Sequence, residues 1–199
     1  MGRKRGCAAE MRNGMNQKER MLAGLPYKAW LDGLSEERME NKKRIYRYNS
    51  LSPEQGEEQA ALIKEIIGKC GENIWIETPF HCDYGWNIEV GENFFANYNL
   101  TILDVGKVVI GKNAQIAPNV SIYTAGHPVH PDSRNTGYEY GIGVTIGDNV
   151  WLGGNTVINP GVTIGNNVVI GAGSVVTKDL PDDVIAVGNP CRVLRKITE

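Results

Sequence analysis

The chain has 199 residues, the size of one domain with a small appendage. A formal charge of −2 gives no reason to expect a general nucleic-acid or anionic-membrane binder, and no apolar run approaches the ~18 residues of a membrane span. Cys7, Cys70, Cys82 and Cys191 lack CxxC spacing, which argues against a zinc site and a disulfide framework, and no secretory signal is present, so a cytoplasmic enzyme or binding protein is expected.

Residues 1–15 are basic and without apolar periodicity, and read as a disordered leader. Residues 16–71 read as a helical cap. A short helix is expected over Gln17 to Ala23, broken by Leu25-Pro26, and Ser35 is expected to cap a second over Glu36 to Tyr48. Ser52-Pro53-Glu54-Gln55 is a start signal, with Ser as N-cap, Pro at the first helical position and Gln closing a capping box. The helix after it carries Leu62, Ile63, Ile66 and Ile67 on one side and stops near Gly68 or Gly71.

From Val144 to Asp179 the period is six. Ile146, Leu152, Ile158, Ile164, Ile170 and Val176 form one column, and Val144, Val150, Thr156, Val162, Val168 and Ser174 a smaller one two residues earlier. Neither a helix nor simple strand alternation gives a strict six, so the pattern predicts a hexapeptide β-helix, three flat faces to a coil, over residues 72–180. Gly147, Gly153, Gly165 and Gly171 are expected to ease the corners, with Asn149 and Asn167 at positive φ. The repeat begins weakly at Ile74, Ile76, Ile88 and Val90 and tightens at Ile110, Ile116 and Ile122. An eight-residue step from Ile102 to Ile110 predicts an insertion near Val105-Gly106, and residues 124–143 leave the coil as a loop. The coil is expected to end at Asp179-Leu180-Pro181, with a turn and basic tail over 181–199. The helical cap is expected to close the open first coil, whose apolar interior and strand edges would otherwise meet water.

A loop ejected from a regular solenoid marks function, because the scaffold has no need of it. His127, at its start, is either a general base near neutral pH or a histidine filling loop hydrogen bonds. His130 completes an HxxH pair, and His81 brings the count to three, the number a trimeric β-helix carbonic anhydrase needs for zinc. Pro128 and Pro131 argue against a helical HxxH face, so no metal is expected.

GHPVHPDSR (126–134), the segment Phe94-Phe95-Ala96-Asn97-Tyr98-Asn99 and VTIGDNVWLGGNTVINPGVTIG resemble the maltose and galactoside O-acetyltransferases of the hexapeptide-repeat acyltransferase superfamily, as do AGLPY, CDYGWNI, VTKDLPDD and GNPCRV. The likeness runs from about Lys18 to the C-terminus. It implies a mainly β protein, a left-handed parallel β-helix forming a homotrimer, with acetyl-CoA between neighbouring coils, one groove wall coming from a second subunit. It also implies a sugar acceptor, direct transfer without an acyl-enzyme, His127 as the base and Asn97 as donor to the oxyanion. Asp83 and Asp104 are expected at the acceptor, and Glu139 either orients His127 or touches the acceptor. Gly154, Ala172 and Thr177 match the pantetheine groove, while Lys178, Arg192 and Arg195 suit the phosphates of coenzyme A. Trp151 should point outward, toward the trimer interface or the cofactor. Ala29 and Val105 stand where galactoside-type members carry acidic residues, which leans toward the maltose-type branch. Other acceptors (an antibiotic, serine or an amino sugar) and a β-helix that only assembles or binds remain alternatives.

Overall fold

A computed structural model describes residues 14–198; positions 1–13 of the expected leader lie outside the described residues. Among the described residues, α1 (Gln17–Leu22), α2 (Leu34–Asn49) and α3 (Gly56–Ile66) precede the coil. Asn16 caps α1 with a full capping box. The other two start signals act differently from the expectation. Helix α2 begins at Leu34, behind Gly33 at φ 84°, because buried Leu34 docks with Met21 and Tyr27; Ser35 caps nothing. The Ser52 motif closes a turn, Gln55 N–H to Ser52 O at 2.8 Å and Ser52 N–H to Gln55 Oε1 at 2.8 Å, and α3 starts only at Gly56.

The chain then winds through short strands that stack into three parallel ladders. The first face holds β1 (Lys69–Cys70), β4 (Ile88–Val90), β7 (Val108–Ile110), β12 (Val144–Ile146) and β15 (Thr163–Ile164). The second holds β2 (Trp75–Ile76), β5 (Phe95–Ala96), β8 (Gln115–Ile116), β13 (Trp151–Leu152), β16 (Val169–Ile170) and β18 (Val184–Val187). The third holds β3 (Phe80–Cys82), β6 (Leu100–Leu103), β9 (Ser121–Tyr123), β14 (Val157–Ile158) and β17 (Val175–Val176). Both expected columns are buried, and Trp151 faces outward. Ile45, Tyr48, Leu62, Ile63, Ile66 and Ile67 of the cap join the same core. The coil outlasts the expected exit at Asp179: Leu180 still bridges Ile164, and β18 pairs with β16 before β19 (Arg192–Lys196) folds back antiparallel.

One corner sets the geometry. Asn73, Asn93, Asn113, Asn149 and Asn167 sit at φ 54–56°, each Nδ2 donating to the Oδ1 one coil on, and Asp183 (φ 59°) accepts the last bond. Asparagine tolerates this left-handed backbone and carries donor and acceptor together. The neighbouring glycines serve close approach rather than positive φ. A Cβ on Gly147 would lie 2.8 Å from Gly165 backbone, and one on Gly165 2.6 Å from Asp182 N. Successive ladder partners are 20, 20, 36, 18 and 16 residues apart. The first two steps exceed eighteen because the insertion expected after Ile102 has a counterpart after Cys82, which the weak early repeat concealed.

Replacing Asn149 by Ala removes two ladder bonds and forces a Cβ residue into the left-handed region, together about 2 kcal/mol. Urea unfolding should rank wild type above Asn149→Gly above Asn149→Ala, since glycine restores the backbone part alone.

Candidate active site

The added lengths of chain fall at the third corner, where the chain passes from the third face to the first. The two-residue insertions follow Cys82 and Leu103, and the loop follows β9 one coil on. Asp104 fastens the first two together. Its Oδ1 accepts the N–H groups of Asp83 and Tyr84, both at 2.9 Å, and its Oδ2 that of Gly85 at 2.7 Å. Thr124 ties the loop to the second insertion, accepting Gly106 N–H at 2.7 Å.

The loop returns on itself as β10 (Ala125–Gly126) and β11 (Tyr140–Gly141), antiparallel, around a one-turn helix α4 (Pro131–Arg134) that His130 precedes. One step beyond the pair Gly126–Tyr140 stand His127 and Glu139. The Nδ1 of His127 lies 3.3 Å from Tyr138 O, and its Nε2 lies 4.0 Å from Glu139 Oε2. A carbonyl only accepts, so Nδ1 is the donor in this contact, and in the neutral ring Nε2 then carries the lone pair. Glu139 faces that lone pair without holding the far side of the ring.

His127 and Glu139 share a cavity of about 270 Å³ with Ala29, Arg38, Asp83, Leu103, Val105 and Ala125. Burial raises the Asp83 carboxyl while Arg38 opposes the rise. Arg38 reaches the cavity from α2, its Nη1 donating to Tyr84 Oη at 2.7 Å. In the sequence it is one cation among many on a Lys/Arg-rich helix, so nothing singled it out. A larger and more apolar cavity of about 440 Å³ adjoins this one across Asp83 and Leu103.

Asp104, expected at the acceptor, is fully buried and is not among the residues lining the His127 cavity; three backbone donors occupy its oxygens, so it shapes the Asp83 turn. The remaining expected residues divide between two corners. Asn97, Gly154 and Ala172 stack at the second corner, where Asn97 N–H bonds Ile116 O and Gly173 N–H bonds Gly154 O. Thr177 and Lys178 follow β17 at the third corner, two coils beyond the loop, and Arg192 and Arg195 lie exposed on β19. Within one chain the third face separates Asn97 from His127 by roughly 15 Å, about five extended residues.

Residues 20–71 match the maltose acetyltransferase hexapeptide capping motif, and residues 143–178 the bacterial transferase hexapeptide of six repeats. The galactoside O-acetyltransferase of Escherichia coli is 50% identical over 93% of this chain and 91% of its own length. The chain belongs to the maltose and galactoside O-acetyltransferase family. Like its relatives there, it is an acyltransferase. A crystal structure of a maltose O-acetyltransferase from Clostridium difficile superposes with a TM-score of 0.92 at 52% identity, covering 94% of this chain and all of that one. A galactoside acetyltransferase in complex with coenzyme A gives 0.91 at 50%, covering 93% and 92%. Ala29 and Val105 both line the His127 cavity; Ala29 does so from the turn between α1 and α2.

Burial pushes the Asp104 carboxyl up to about 6, against its backbone donors, which favour the anion. Unfolded, the group titrates near 4. Its contribution to stability is therefore full below about pH 4 and lost as pH rises through about 6. Asp104→Asn should flatten that part of the stability–pH curve. It should also lower stability at neutral pH by about 2 kcal/mol, because an amide nitrogen cannot accept the Gly85 N–H; denaturant titrations across pH 4–8 measure both.

Proposed function

We propose that the protein transfers the acetyl group of acetyl-CoA directly to a hydroxyl of a sugar, with His127 as general base. The observation that carries this reading is the His127 ring, its Nδ1 turned to a carbonyl and its Nε2 toward Glu139, beside a cavity that both line with Asp83 and Arg38. Such groups suit a polyhydroxy acceptor, because carboxylates accept and a guanidinium donates paired hydrogen bonds to vicinal hydroxyls. Nε2 takes the hydroxyl proton as the oxygen attacks the thioester carbonyl. The tetrahedral intermediate collapses with loss of the coenzyme A thiolate, which recovers the proton.

Asn97 supplies the oxyanion donor. Its Oδ1 accepts the Tyr98 N–H at 2.8 Å, which leaves the Nδ2 hydrogens for another acceptor. Asn97 and His127 occupy different corners, so the working site joins the second corner of one subunit to the third corner of its neighbour in a trimer. The donor groove then runs along Gly154 and Ala172 on one side and Thr177 and Lys178 on the other, with Arg192 and Arg195 toward the phosphates. Ala29 and Val105 leave the acceptor cavity less acidic, which favours glucose- or maltose-type acceptors.

His127→Ala should lower kcat by roughly 10²–10⁴ with the oligomer intact, read by thiol release across a panel of glucose, maltose, galactosides, serine and chloramphenicol. Near-normal turnover in that variant, or a preference for serine or chloramphenicol, overturns the proposal. Mixed oligomers of His127→Ala and Asn97→Ala chains should recover activity that neither variant has alone, because some inter-subunit sites then carry both native residues.

A further inference from the structure

Behind the His127 cavity lies Tyr27, in the segment between α1 and α2. Its ring is fully buried among Met21, Leu34, Tyr84 and Val105. It does not line the cavity, yet three hydrogen bonds tie it to a residue that does. The Tyr27 hydroxyl donates to Glu139 Oε1 at 2.6 Å. The two main chains exchange both of their bonds, Tyr27 N–H to Glu139 O at 2.9 Å and Glu139 N–H to Tyr27 O at 3.1 Å. The helical cap thus adds one more strand-like pairing to the outside of the loop, at the level of His127.

These contacts fix the carboxylate from one side and leave the other side directed at the base. With Oε1 held by the phenol, Oε2 stands 4.0 Å from His127 Nε2. We propose that Tyr27 is a positioning residue for acetyl transfer, holding Glu139 so that its second oxygen meets the positive charge His127 gains on taking the acceptor proton. The inference rests on His127 being the base. No proton passes to Glu139 or Tyr27: it goes from the acceptor hydroxyl to Nε2 and then to the departing thiolate. Burial and the adjoining carboxylate hold the Tyr27 hydroxyl far above its ordinary titration range, so it remains a donor wherever the enzyme works. The other charged or titratable groups facing Glu139 are Asp83, Arg38 and Tyr84, from the first insertion and α2. Substitutions at Tyr27 and Glu139 leave those three in place.

Glu139→Gln removes a negative charge 4.0 Å from His127 Nε2, so it should move the acidic limb of the kcat/KM profile to lower pH and reduce kcat. Tyr27→Phe keeps the ring and its packing but frees the carboxylate. It should move the limb in the same direction by a smaller step, lower kcat about tenfold, and leave KM for acetyl-CoA unchanged. The double variant should match Glu139→Gln alone, because Tyr27 acts only through Glu139. A stationary limb in either single variant overturns the proposal, as does additivity in the double variant. Should Tyr27→Phe yield too little folded protein, the limb of Glu139→Gln decides by itself. His127→Ala, run alongside, separates the two readings: if it retains turnover the base assignment falls, whereas if it is inactive and the Tyr27 and Glu139 variants behave as wild type, only the positioning role falls.

Discussion

The structure rests on the spacing between successive coils. Parallel strands stack about 4.8 Å apart, and at that distance the chain turns a corner only where it can be narrow and can bond the chain above and below. The glycines meet the first demand, since an added Cβ at Gly91, Gly111, Gly147 or Gly165 would fall within 3 Å of the next coil. The asparagines meet the second, adopting a left-handed backbone and linking amide to amide along the corner. The buried aliphatic columns supply cohesion. The corners determine that this apolar chain winds into a coil.

The same requirement explains where chemistry is placed. The first corner is committed in every coil, and the second carries its own left-handed positions at Asn99, Asn119, Asn155 and Gly173. The third has no such ladder and accepts irregular lengths of chain. Two insertions and the loop occur there, sewn to one another by Asp104 and Thr124. The helical cap packs on this side through Tyr27 and Arg38. A terminal plug of the solenoid thereby also becomes part of the wall of the cavity.

Much of this was legible from residue order. A strict six-residue period admits few folds, so the columns, the outward Trp151 and the positive φ of Asn149 and Asn167 could be read directly. The early coils were harder to read because the insertion after Cys82 throws the period out of phase, hiding the fact that Ile76 and Val90 belong to neighbouring coils. Helix starts were misjudged where tertiary docking overrode a local signal, as buried Leu34 overrides Ser35. Asp104 could be recognised as a carboxylate near an insertion, but its three backbone donors belong to a turn twenty residues away and leave no local trace. Arg38 and Tyr27 were missed for a related reason: one stands on a helix crowded with cations, the other pairs with a residue more than a hundred positions later. The loop singled out His127 and the resemblance assigned a role to Asn97, whereas only the coil register reveals that one chain holds them at different corners.

The asparagine ladder also has a direction. Every amide donates toward the C-terminal end, from Asn73 through Asn167, and the series ends on a side chain that has oxygens but no hydrogens to give. At Asp183 the polarity runs out, and β19 folds back across the adjoining face in the opposite sense. A solenoid is in principle an open-ended polymer, able to template another turn or another molecule on its exposed rim. Here the last rung is a full stop written in the chemistry of one side chain, so the length of the fibre-like core is set by its own sequence.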